Sequence, residues 1–137
     1  MRDRLPVMLA ALWWGSLTAV GLLVVPLLFA YLPTPAMAGG MAAKLFTAQT
    51  WVSLACGVLL LMASRERGGG TAAWAGTAMP FIVAGLLLAL LVEFVVAPRI
   101  MARENLKLWH GLGSGMYLLQ WLSAGATLWT SLPRRER

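Results

Sequence analysis

Four long apolar runs, separated by short polar breaks, dominate this chain. They cover about residues 5–32, 45–64, 74–97 and 108–132, and the breaks read PTPAMAGG, RERGGG and PRIMARENLK. A helix needs about 20 apolar residues to cross a bilayer, so each run predicts a membrane-spanning helix. Short links place successive helices side by side in opposite directions. We therefore predict an all-α integral membrane protein: one domain over residues 1–137, built as an up-down four-helix bundle.

The composition agrees with this pattern and excludes other classes of protein. The chain is 60% hydrophobic and 12% charged, whereas soluble domains carry about 25% charged residues. The net charge of +6 could suggest nucleic acid, but the basic residues flank the apolar runs, as they do beside membrane spans. The partner that the sequence predicts is the lipid bilayer, and no nucleic acid.

The distribution of basic residues predicts the orientation. Seven lie at the termini and the second break, and four lie at the other two breaks: Arg2, Arg4, Arg65, Arg67, Arg134, Arg135 and Arg137 against Lys44, Arg99, Arg103 and Lys107. Cytoplasmic loops carry the excess of Lys and Arg. We expect a multi-pass protein of the bacterial inner (plasma) membrane with both termini in the cytoplasm.

The two halves of the chain echo each other. Val-Val-Pro ends at Pro26 in the first run, and Val-Val-Ala-Pro ends at Pro98 in the third. The next runs begin KLFT at Lys44 and KLWH at Lys107, although the intervening stretches differ in length. The bundle is therefore either two repeated helical hairpins or a chance match among apolar residues.

Glu93 is the strongest candidate for a functional residue, because a carboxylate inside an apolar run is costly unless it is paired, protonated or beside a polar cavity. At 1.5 Å per residue, Gln49 and His110 fall at similar depth on the outer side. Ser114 and Tyr117 share a helical face with His110. These five residues form a candidate ligand or proton site, in which a Glu93–His110 contact would match an acceptor to a ring N–H donor.

Structural roles explain the same residues. Glu93 could hydrogen-bond a neighbouring helix, His110 could bond a backbone carbonyl at the interface, and Gln49 could join helices. His110 alone cannot form a zinc site. As a metal ligand it would be one axial ligand of haem, or a copper ligand together with soft thioethers. We predict no bound cofactor and keep haem or copper at His110 as alternatives.

Small residues at four-residue spacing predict close helix packing. The pairs are Gly111 with Gly115, Ser53 with Gly57, and Gly85 with Ala89. Such spacing lets two helix backbones approach, either inside the bundle or across a homodimer.

No motif of soluble-type catalysis is present, so we expect no enzymatic activity. The leading prediction is a non-enzymatic interaction or accessory protein, or a homo-oligomer, with a second copy or another membrane protein as its partner. The alternatives are small-cation or drug handling by a protonatable Glu93–His110 site, and haem or copper binding at His110.

The stretches LWWGSLTAVGLLVVPLLFAYLP, AGGMAAKLFTAQTW, EFVVAPRI and KLWHGLGSGMYLLQWL resemble the transmembrane-protein-205-like family, a small four-helix membrane domain of unknown function. The resemblance covers roughly residues 8–130. It maps the family pattern onto a short set of positions: Gly15, Pro26, Phe29, Phe46, Pro98 and His110. It also implies a distant likeness to copper-resistance and haem-biosynthesis membrane domains, which generally place more histidines in their helices.

Overall fold

A computed structural model describes residues 4–66 and 69–132, and four long helices account for nearly all of them. They are α1 (Leu5–Tyr31), α2 (Pro35–Ala63), α3 (Ala75–Met101) and α4 (Leu106–Ser131). Within this part of the chain the only strand-like pairing is one β-bridge, between Arg65 and Thr71. The all-α prediction is confirmed. Some of the arginines that predict the orientation lie outside the described residues: Arg2, Arg67, Arg134, Arg135 and Arg137.

Helix α2 begins ten residues earlier than the predicted span of 45–64. Thr34 precedes the helix in an extended conformation, and its hydroxyl accepts the Met37 N–H at 3.2 Å. Pro35 follows at the first helical position, where its fixed φ suits a helix and its missing N–H costs nothing. The stretch PTPAMAGG, predicted as a break, is therefore mostly the first two turns of α2.

Helices α1 and α3 share one unusual backbone feature. Each contains a π-helical turn, Ala19–Val24 in α1 and Val92–Val96 in α3. In each case a proline follows two residues after the turn, at Pro26 and Pro98. Helix α3 therefore continues through Pro98 to Met101, beyond the predicted end at 97. The Val-Val-Pro echo thus has a matching backbone geometry, while duplication of the whole hairpin stays a prediction.

Three of the four helices, α1, α2 and α3, are long and apolar enough to cross a membrane. Helix α4 is long enough, with 26 residues, but it is not among the candidate spans of the described residues. Its sequence explains the difference, since it holds four glycines together with polar side chains such as His110, Gln120 and Thr127. The fourth run was predicted as a membrane span because of its length. Its hydropathy supports a membrane span less strongly than the hydropathy of the other three runs does.

The helices pack around a core of apolar side chains. Helix α1 contacts α2 and α4, and α3 also contacts α2 and α4. Trp13, Leu17, Leu60 and Ile82 are fully buried at the centre. Around them, Gly57 lies against Leu86, and Gly85 lies against the Trp13 ring. These contacts hold α3 close to both α1 and α2.

Candidate functional site

Glu93 lies in the π-helical turn of α3, and its carboxylate accepts from the hydroxyl of Thr47 on α2. The Thr47 Oγ1 atom is 2.9 Å from one carboxylate oxygen and 3.2 Å from the other. Both side chains are half-buried. A hydroxyl carries one proton, so it cannot satisfy both oxygens fully at the same time. This pair is the one place in the described spans where a carboxylate meets a neighbouring helix.

His110 does not join Glu93. It is exposed in the second turn of α4, as is Ser114 one turn further on. Among the described side chains, neither a hydrogen bond nor an ion pair links His110 to Glu93, whose carboxylate accepts from the Thr47 hydroxyl instead. The predicted Glu93–His110 contact is therefore not present, because His110 is exposed on α4 while the Glu93 carboxylate faces Thr47 on α2.

Gln49 belongs to a separate, buried polar network that joins α1, α2 and α4. Its side-chain amide donates to Ser16 at 2.9 Å and to Ser53 at 3.4 Å. Ser53 also accepts from the Gln120 amide at 3.0 Å and donates to the Gln49 carbonyl at 2.9 Å. Gln49, Ser53 and Gln120 are all at most 4% exposed. Ser53 is thus the central member of a three-helix network in the core.

Tyr117 packs against α1 rather than beside His110. Its hydroxyl donates to the Leu17 carbonyl at 2.8 Å, and its ring meets the Phe46 ring edge-on at 5.3 Å. A Cβ atom at Gly21 would lie 2.5 Å from the Tyr117 ring, so only glycine fits at position 21 of the π-helical turn. One turn along α4, Trp121 donates from its indole N–H to Thr18 at 2.8 Å.

The five predicted site residues therefore do not form one site. Glu93, Gln49 and Tyr117 lie in three separate sets of contacts, and His110 and Ser114 are exposed. The important residues that the candidate list missed are Thr47 and Gln120. A signal for Thr47 was present, because it lies two residues from Gln49 and hence at the same depth.

Gly111 and Gly115 face open space. A Cβ atom at either position would meet no other atom within 4 Å. Both glycines line an open apolar groove of about 810 Å³ along α4, together with Leu108, Leu112 and Leu119. Asn105, Lys107, Met116 and Leu118 complete the lining of the groove. Of the three predicted pairs, the two that pack inside the chain are Ser53 with Gly57 and Gly85 with Ala89.

In the described part of the chain, no group of three or more His, Cys, Asp or Glu side chains lies close enough to hold a metal ion. At the same end as Glu93, the Arg99 guanidinium lies 4.4 Å from the centre of the Trp109 ring. This distance is a cation–π contact, which fixes the end of α3 against the start of α4.

A family model described as "Domain of unknown function (DUF4149)" matches residues 8–107. No curated protein and no solved structure matches the chain. The matched range includes α1 from residue 8 onward and the whole of α2 and α3, with both π-helical turns and the Glu93–Thr47 pair.

Proposed function

The chain belongs to the DUF4149 family of domains of unknown function, and we propose that it is a non-enzymatic membrane protein that works through association with a second copy of itself. In this proposal residues 1–137 form one up-down four-helix bundle in the bacterial inner membrane, with both termini cytoplasmic. We also propose that it is related to the transmembrane-protein-205-like proteins. The three long apolar helices and the excess of basic residues at the termini support the membrane placement.

The observation that carries the association is the open face of α4. Gly111 and Gly115 are one helical turn apart, exposed, and free of neighbours within 4 Å of a would-be Cβ. In a membrane, apolar burial does not drive helices together, so association depends on close backbone packing at small residues. An exposed small-residue pair flanked by leucines provides such a surface.

A second copy suits this face better than an unrelated helix. A two-fold axis places the same patch on both subunits, so each glycine pair faces the other. Lys107, which lines the groove, and the nearby Glu104 are exposed with opposite charges. In a two-fold dimer each carboxylate can approach the partner copy's ammonium, which makes the rim self-complementary.

Leucine at both Gly111 and Gly115 should abolish this association. The added side chains fill the groove and keep the two backbones apart, so we expect at least ten-fold weaker self-association, about 1.4 kcal/mol. The measurement is energy transfer between differently labelled copies in lipid vesicles, as a function of protein-to-lipid ratio.

The matched control is Gly15→Leu on α1, where a Cβ also has no neighbour within 4 Å. It should leave the association unchanged. A wild-type protein that stays monomeric at every ratio, or a double variant that associates as well as wild type, would contradict the proposal.

The Glu93–Thr47 pair favours a second candidate function, the proton-coupled handling of a small cation or drug. Glu93 would carry the proton or hold the cation, with Thr47 in the place first predicted for His110. Glu93→Gln should then remove pH-dependent flux in vesicles, while His110→Gln should leave it unchanged. Haem or copper binding at His110 has no supporting contact among the described residues, and we do not propose it.

A further inference from the structure

We propose that the π-helical turn of α3 is a binding site for a single small alkali cation. This inference rests on the second candidate function and names the class of ligand that the site takes. The ligands are oxygen atoms of Glu93 and Thr47. Hard oxygen donors, and no sulfur or nitrogen, are the set that alkali and alkaline-earth cations prefer.

The first argument is the unfilled hydrogen-bonding capacity of the Glu93 carboxylate. Thr47 supplies the hydrogen bond recorded for it, at 2.9 Å and 3.2 Å to its two oxygens. An ionised carboxylate has about four acceptor positions. A half-buried carboxylate within an apolar helix that receives one proton from its surroundings needs a further positive partner, which a bound proton or a cation provides.

The second argument is a main-chain carbonyl without its donor. In the π turn an N–H donates to the carbonyl five residues earlier, as Ala97 does to Val92. The next donor in this register would be residue 98, facing the carbonyl of Glu93. Proline has no N–H, so Pro98 leaves that carbonyl free of this bond. Carbonyls released where membrane helices unwind are the groups that coordinate Na⁺ or protons in transporters.

The π turn of α1 has the same backbone geometry as the π turn of α3, but a different side chain at the corresponding position. There the same register, with Val25 donating to Val20, leaves the Gly21 carbonyl facing Pro26. Residue 21 is a glycine, and the neutral Tyr117 side chain packs closely on it. The corresponding place in α3 carries Glu93 and a hydroxyl partner. The two π turns therefore share a backbone geometry. In α1 the Tyr117 side chain fills the space beside the turn, whereas in α3 the turn carries the Glu93 carboxylate.

The charge of the site selects a monovalent ion. One carboxylate and two neutral oxygens bind one positive charge with no net charge left, whereas a divalent ion would leave a buried excess. The elements packed against the turn do carry other titratable groups, none of them bonded to Glu93 in the described structure: Lys44, Arg99, Lys107, His110 and Tyr117.

The test adds NaCl to the full chain in lipid nanodiscs, against choline chloride at constant ionic strength, in a weak buffer. Calorimetry measures Na⁺ binding. Glu93→Gln should abolish this signal. Thr47→Val should weaken binding about ten-fold, since it removes one polar ligand, and Thr47→Ser should restore it. Glu104→Gln, which removes an exposed carboxylate, is the matched control and should behave as wild type.

The outcomes separate this inference from the function on which it rests. Infrared spectroscopy tests proton handling separately, through the carboxyl band that is lost in Glu93→Gln. If that band titrates but Na⁺ does not bind, the cation site is wrong and proton handling survives. If no Glu93-dependent protonation is seen and no Na⁺ binds, both are wrong. Na⁺ binding that persists in Glu93→Gln also overturns the site.

Discussion

Valine at Gly85 should destabilise the protein more than any other single substitution considered for this chain. A Cβ atom at Gly85 would lie 2.6 and 2.7 Å from two ring atoms of Trp13, closer than non-bonded carbons can approach. Trp13, on α1, is fully buried among the neighbouring helices, so its rigid ring has no open space to enter. Forcing extra methyl groups into a well-packed core costs about 1–3 kcal/mol and occasionally more, and we expect the upper end here.

The measurement is reversible unfolding in mixed micelles with increasing denaturing detergent. The matched control is Gly76→Val in the same helix, where a Cβ meets nothing within 4 Å. Both variants exchange glycine for the same β-branched residue, so helix propensity cancels between them. Equal stability of the two variants would show that the Trp13 ring can move aside, and would refute the close α1–α3 contact.

Alanine at Ser53 should have the second-largest effect, because it removes the shared member of the polar network. The Ser53 hydroxyl accepts from both Gln49 and Gln120 and donates to the Gln49 carbonyl. Gln120 is 3% exposed, so its amide loses its partner with no access to bulk solvent. A buried polar group without a partner costs about 1–3 kcal/mol; individual hydrogen bonds between membrane helices measure less, about 0.6 kcal/mol on average. We expect a loss of about 2 kcal/mol.

A double variant shows whether the lost stability comes from the unpaired Gln120 amide or from a simple loss of packing. If the cost arises from the unpaired Gln120 side chain, then adding Gln120→Leu to Ser53→Ala should recover about half of the lost stability, because both polar groups are then gone. The same unfolding titration gives all four corners of the cycle. Additive losses would mean that the Ser53–Gln120 contact contributes nothing, contrary to its 3.0 Å distance.

The helices themselves follow from features that a sequence displays. Long apolar runs need helical hydrogen bonding in lipid, and charged or glycine-rich stretches interrupt them. The errors lie where a single local contact decides the outcome. The start of α2 depends on the Thr34 hydroxyl and Pro35, which turn a proline- and glycine-containing break into helix. The continuation of α3 through Pro98 depends on the π turn before it.

The position of a residue along its helix could be predicted from the sequence, whereas the rotation of each helix about its axis could not. Counting residues from the span ends placed Glu93 and Gln49 at one level, and Thr47 lies at that level as well. Which of these side chains face each other depends on how the helices turn toward the core, and this is set by bulky contacts far from the site, such as Trp13 on Gly85. Glu93 therefore meets Thr47 instead of His110.

The two π-helical turns also limit how the length of this chain can vary. Such a turn is an α-helix that holds one additional residue. Deleting one residue between Ala19 and Val24 would return α1 to regular winding and rotate all that follows by about 100°. Tyr31 and the other residues of α1 that follow the turn would then face different neighbours. Insertions and deletions should be tolerated in the exposed links between helices, and rejected in these two short turns.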